Sequence, residues 1–134
     1  MEQPAQIKEE ARKFGFGLYF FAAFTLAIKY VIPIAWAIHK NTVLTSYIYF
    51  WDAWWIAHLY VGRGLLKAER GIWRWAFLLS LAEILIIAIK LAAYLRAPIL
   101  DFWRLSWFVN KSLLLIFFLC LFPWLLKKQA REVL

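Results

Sequence analysis

SLAEILIIAIK, residues 80–90, sets a glutamate and a lysine into a run that otherwise reads as helix in lipid. The run extends both ways, from about 72 to 95, which exceeds the roughly 20 apolar residues a helix needs to cross a ~30 Å hydrocarbon core. An ionised side chain at the centre of such a span costs about 2.5–3.5 kcal/mol on insertion scales. Glu83 and Lys90 are therefore expected to face the interior of a helix bundle, or a partner subunit, and not lipid. Along this helix Ala76, Ser80, Glu83, Ile87, Lys90 and Tyr94 recur at i, i+3/i+4 spacing and form one small and polar stripe.

Three further runs read the same way, at about 14–38, 43–61 and 102–126. Of the 134 residues 65% are hydrophobic, including nine Trp, twelve Phe and six Tyr. Soluble domains run nearer 45–50% apolar, so this chain carries more apolar surface than a soluble core of its size hides. Hydrocarbon offers the backbone no hydrogen-bond partners, which makes each span a helix, the β-rich TSYIYFW included. The links at 39–42 and 96–101 are short and imply antiparallel neighbours. The middle connection, GRGLLKAERGIWR (62–74), reads as longer and basic. The expected fold is an all-α integral membrane protein, a single antiparallel four-helix transmembrane bundle over 1–134.

Charge placement orients it. Lys8, Arg12, Lys13, Arg63, Lys67, Arg70, Arg74, Lys127, Lys128 and Arg131 fall on one side of the spans, and only Lys40, Arg96 and Arg104 on the other. The positive-inside rule then puts both termini in the cytoplasm of a bacterial-type inner membrane or a plasma membrane. The first run is too long for a signal-peptide core of 7–15 residues and contains Lys29, so it is expected to be retained as a helix. Before it, QPAQIKEEARK reads as a short amphipathic surface helix with Pro4 in its first turn, where a missing N–H costs nothing.

Five ionisable residues fall within the spans, Lys29, Asp52, Glu83, Lys90 and Lys111, with Asn110 beside the last. At 1.5 Å rise per residue, Lys29, Asp52 and Lys111 lie roughly 13 Å from the outer end, Glu83 roughly 18 Å and Lys90 roughly 8 Å. Four of them, one from each helix, thus gather near the midplane. On the first helix Gly15, Leu18, Ala22, Thr25 and Lys29 share a face whose small residues permit close approach. Pro33 cannot donate to the carbonyl of Lys29. The simplest pairing joins Lys29 to Asp52 and Glu83 to Lys111, with Lys90 snorkelling outward.

Such a cluster fixes helix register, docks another membrane subunit or carries protons. The bulky aromatic spans are poor in the mid-helix breaks that carriers use to build midplane sites. The favoured expectation is a non-catalytic accessory or assembly subunit of a larger membrane complex, bound to other membrane subunits or to itself. The alternative is a small oligomeric proton- or ion-coupled transporter or channel using Asp52 and Glu83. The small multidrug transporters resemble this chain in size, helix count and possession of a membrane glutamate, but their glutamate belongs to the first helix, where Lys29 stands here.

Enzymatic chemistry is not expected. Ser80 lies near Glu83, but a helical serine commonly bonds its own i−4 carbonyl. No Cys/His cluster suggests a metal, and no cofactor is indicated. His39 and His58 sit some 22 Å apart in depth, too far to clamp one haem. The +8 net charge lies at span ends and forms no nucleic-acid-reading surface. Arg63, Lys67, Arg70, Arg74, Lys127 and Lys128 are the candidate contacts to anionic lipid headgroups.

Overall fold

The computed structural model describes residues 4–40, 54–98 and 100–134. Every element in them is helical. Helix α1 (Pro4–Leu26) passes through a π-helical turn (Ala27–Val31) into α2 (Ile32–Lys40). Helix α3 covers Trp54–Leu66, α4 Ile72–Arg96, α5 Phe102–Leu125, and a short α6 Lys128–Val133. Three helical stretches are long and apolar enough to cross a membrane: Pro4–Lys40, Ile72–Arg96 and Arg104–Leu125. Of the second expected span (43–61), only the part from Trp54 onward lies within the described residues.

Two expectations are corrected. The N-terminal segment is not a separate surface helix. Pro4 opens α1 without a break, and Ile7 and Ala11 are fully buried at the start of the stripe that continues through Gly15, Leu18, Ala22 and Thr25. No helix breaker separates residues 5–13 from the apolar run, so the helix continues. The middle connection is also shorter than expected. Gly62 and Gly64 are inside α3, and only residues 67–71 link it to α4.

Those glycines are packing residues. A Cβ on Gly15 would stand 2.6 Å from the amide nitrogen of Leu66 and 2.7 Å from the carbonyl oxygen of Gly62. A Cβ on Gly62 would meet that of Leu18 at 3.1 Å. The backbones of α1 and α3 therefore cross nearly in contact, as small residues allow. Helix α3 ends in a Schellman arrangement, with Glu69 N–H donating to the Gly64 carbonyl and Ala68 N–H to that of Leu65. Ala68 occupies the left-handed position at φ 48° that glycine usually fills.

The π-turn has a sequence cause. Pro33 removes the donor that the Lys29 carbonyl would use, and the ladder slips to a longer bond from Ile32 N–H to the Ala27 carbonyl. One extra residue in the turn rotates the following helix by about 100° relative to an unbroken α-helix. The effect is visible at Ala37, which lies twelve positions after Thr25, off its face in an α-helix, yet is buried.

One end of the molecule is tied together. The Trp124 indole donates to Glu10 at 2.5 Å, and the Trp73 indole donates to the Leu125 carbonyl at 2.7 Å. Gly71 N–H donates to the Leu134 carbonyl at 2.6 Å. These contacts join the start of α1, the α3–α4 link, the end of α5 and α6. The described flanks, in contrast, are apolar and open: Phe16, Phe20, Leu85, Ile89, Ile116 and Leu119 are each more than half exposed.

Candidate functional site

Helices α4 and α5 run antiparallel with a register set by aromatic contacts. Phe77 meets Phe122 at 5.3 Å between ring centroids, and Tyr94 meets Trp107 and Phe108 at 5.7 and 5.2 Å. That register puts Glu83 opposite Phe117, Ile87 opposite Leu114, and Lys90 opposite Asn110 and Lys111. The buried polar residues therefore form two groups, separated along the helices by about 9 Å.

The inner group is His58 and Glu83. Both are almost fully enclosed, and His58 Nε2 lies 3.4 Å from Glu83 Oε1. Phe118, fully buried, closes the site with its ring 5.7 Å from the imidazole. The distance is that of an ion pair, but the imidazole N–H does not point at the carboxylate. Neither ring nitrogen makes a hydrogen bond among the described residues. A polar group left so costs about 1–3 kcal/mol relative to one hydrogen-bonded. Ser80, one turn away, donates to its own Ala76 carbonyl at 2.7 Å and is thereby occupied.

The outer group is Asn110 and Lys111, both buried, bracketed in depth by Thr25 and Lys29. Phe21 packs against Phe117 at 5.3 Å, and Thr25 and Lys29 lie one and two turns beyond it on the π-interrupted helix. Lys29 is half-buried, and neither it nor Lys111 is a free charge. The side-chain oxygens of Thr25 and Asn110 are buried without hydrogen-bond partners among the described residues. Between the two groups stand Ile87 and Leu114, each 0% exposed. An apolar layer thus divides the polar interior.

The expected constellation is redistributed accordingly. Glu83 is engaged by His58, where the charge count assigned it to Lys111. Asp52, the expected partner of Lys29, lies outside the described residues. Lys90 shares the level of Lys111 but is exposed, six residues from the end of α4. The stripe containing Ala76, Ser80, Glu83 and Ile87 is buried as its spacing implies, and it leaves the interior at Lys90. His58 is the residue that sequence reasoning left out of the site. Its signal was depth, since counting from the outer ends puts it within about 4 Å of Glu83.

The headgroup candidates Arg63, Lys67, Arg70, Arg74, Lys127 and Lys128 are all exposed near the tied end of the molecule. No group of three or more His, Cys, Asp or Glu able to hold a metal occurs among the described residues. Cys120 is exposed on the apolar flank of α5. Compared with protein families, curated proteins and solved structures, the chain finds no match. Its function is therefore read from its own chemistry.

Proposed function

We propose that the chain is a non-catalytic accessory or assembly subunit of a larger membrane complex, inserted as a four-helix bundle with both termini cytoplasmic. The observation that carries this reading is Lys90. It is exposed on α4, six residues inside the end of the helix. An ammonium there, roughly 9 Å from the helix end, is costly against lipid. A carboxylate on a neighbouring membrane helix removes that cost and fixes the docking register.

Native mass spectrometry after mild extraction from the host membrane tests the reading. A mass containing other polypeptides is expected, with those polypeptides lost on Lys90→Met while the chain itself still inserts and melts normally. A homo-oligomer alone, or an unchanged complex in Lys90→Met, overturns it.

Proton- or ion-coupled transport through Asp52 and Glu83 is the second reading. The enclosed His58–Glu83 pair favours it, because intramembrane carboxylates and histidines are the groups that proton relays use. The Ile87–Leu114 layer weighs against it, since a relay needs polar groups or water in continuous reach. Proton flux in liposomes that falls to background in Glu83→Gln would favour transport over docking.

A further inference from the structure

We propose that a three-arginine cleft at the tied end of the molecule is a binding site for the phosphate headgroup of an anionic phospholipid. The cleft has a volume of about 560 Å³ and is lined by Arg70 and Arg74 around the start of α4 and by Arg131 of α6. Trp75 and Leu78 form its apolar wall. Arg131 is held in place, its guanidinium stacked over the Trp73 ring at 5.4 Å, and the Gly71–Leu134 hydrogen bond fixes α6 against the α3–α4 link. None of the three arginines reaches a carboxylate within ion-pair distance among the described residues. Glu132 also lines the cleft, but its carboxylate is turned to Lys128 at 3.7 Å.

The geometry selects a lipid over a free anion. Guanidinium forks match phosphate oxygens in paired hydrogen bonds. Below the arginines, Trp75 and Leu78 are 56% and 55% exposed and begin an apolar track that continues down the outer face of α4 through Leu81 and Leu85. The Tyr60 ring meets Trp75 edge-on at 6.2 Å, so the tryptophan sits in an aromatic pair of the kind found at headgroup level. A free phosphate uses only the upper half of this surface. A phospholipid uses both, with its phosphate among the arginines and an acyl chain along the track. The site is independent of whether the chain is a subunit of a complex, and requires only that it lies in a membrane.

The test is native mass spectrometry of the delipidated protein in detergent, titrated separately with phosphatidylglycerol, phosphatidylcholine and inorganic phosphate. Phosphatidylglycerol is expected to bind at least tenfold more tightly than phosphatidylcholine, with inorganic phosphate failing to displace it at millimolar concentration. Arg74→Gln and Arg131→Gln should each weaken phosphatidylglycerol binding roughly fivefold, and Leu78→Gln should weaken it without altering the anion preference. Arg12→Gln, equal in charge change but outside the cleft, should leave it unchanged. Equal binding of the two lipids, an equal loss in Arg12→Gln, or displacement by inorganic phosphate overturns the proposal. Thermal melts of each variant separate loss of binding from loss of fold.

Discussion

At the scale of single residues, the enclosed His58–Glu83 contact is the interaction whose disruption has the most distinctive expected signature. The two side chains are 3% and 4% exposed, so solvent screens them little. Within membranes, however, the unfolded reference also finds polar partners, and measured couplings between helices average about 0.6 kcal/mol with a maximum near 1.7 kcal/mol. A double-mutant cycle of His58→Gln and Glu83→Gln, followed by thermal or denaturant unfolding in detergent, is expected to give a coupling in that range. Zero coupling would mean that the two groups are merely adjacent. Glu83→Ala should be worse than Glu83→Gln, because it leaves a cavity in a buried site where the glutamine keeps the volume filled. The burial of Glu83 was legible from Ala76, Ser80 and Ile87 on the same stripe. Its partner was not, because pairing depends on how α3 and α4 align in depth, and that alignment is set by packing along their whole length.

At the scale of elements, glycine has two opposite roles that sequence alone does not separate. Locally it signals a turn, which is why 62–74 reads as a loop. In the folded chain Gly62 and Gly64 are helical because α1 and Ile72 come too close for a side chain. Gly71, with φ 92°, does belong to the link. The distinction yields a paired expectation at the α1–α3 crossing. Gly15→Ala drives a methyl into backbone atoms of Leu66 and Gly62, which cannot swing away, so the helices must separate at a cost of about 1–3 kcal/mol. Gly17→Ala meets the ring of Phe117 at 2.5 Å, and a side chain is able to turn aside. Melting of the two variants in detergent should therefore rank Gly15→Ala well below Gly17→Ala, with the latter close to the parent. Equal losses would show that α1 and α3 are not in backbone contact. The apolar lengths of α4 and α5 were legible directly, since nothing but a spanning helix uses such runs. The donor that Pro33 withholds from the Lys29 carbonyl was legible, but the π-turn that follows from it and its rotation of Ala37 were not.

At the scale of the whole molecule, the directions of the helices bear on the proposed topology. Helix α1 starts at the end where Glu10 meets Trp124, and α3 runs antiparallel to it and returns to that end at Leu66. Helix α4 leaves again from Gly71, and α5 comes back to Leu125, where the Trp73 indole meets its carbonyl. Two departures and two returns put the start of α1, the 67–71 link and α6 together, and the basic residues are concentrated there. In the proposed topology the positive-inside rule assigns that basic end to the cytoplasm. Cysteine labelling checks it in a Cys120→Ser background, with single cysteines at Lys67, Lys128 and Pro98, all exposed. A membrane-impermeant maleimide applied to intact cells is expected to modify only position 98. In inverted vesicles the pattern should reverse, with 67 and 128 reacting and 98 protected. Labelling of 67 and 98 from the same side would break the alternation and reduce α4 to a helix that does not cross, whereas opposite labelling of 67 and 128 would remove α5. The first result would also withdraw Lys90 from the bilayer, and with it the reason for seeking a carboxylate on a neighbouring subunit.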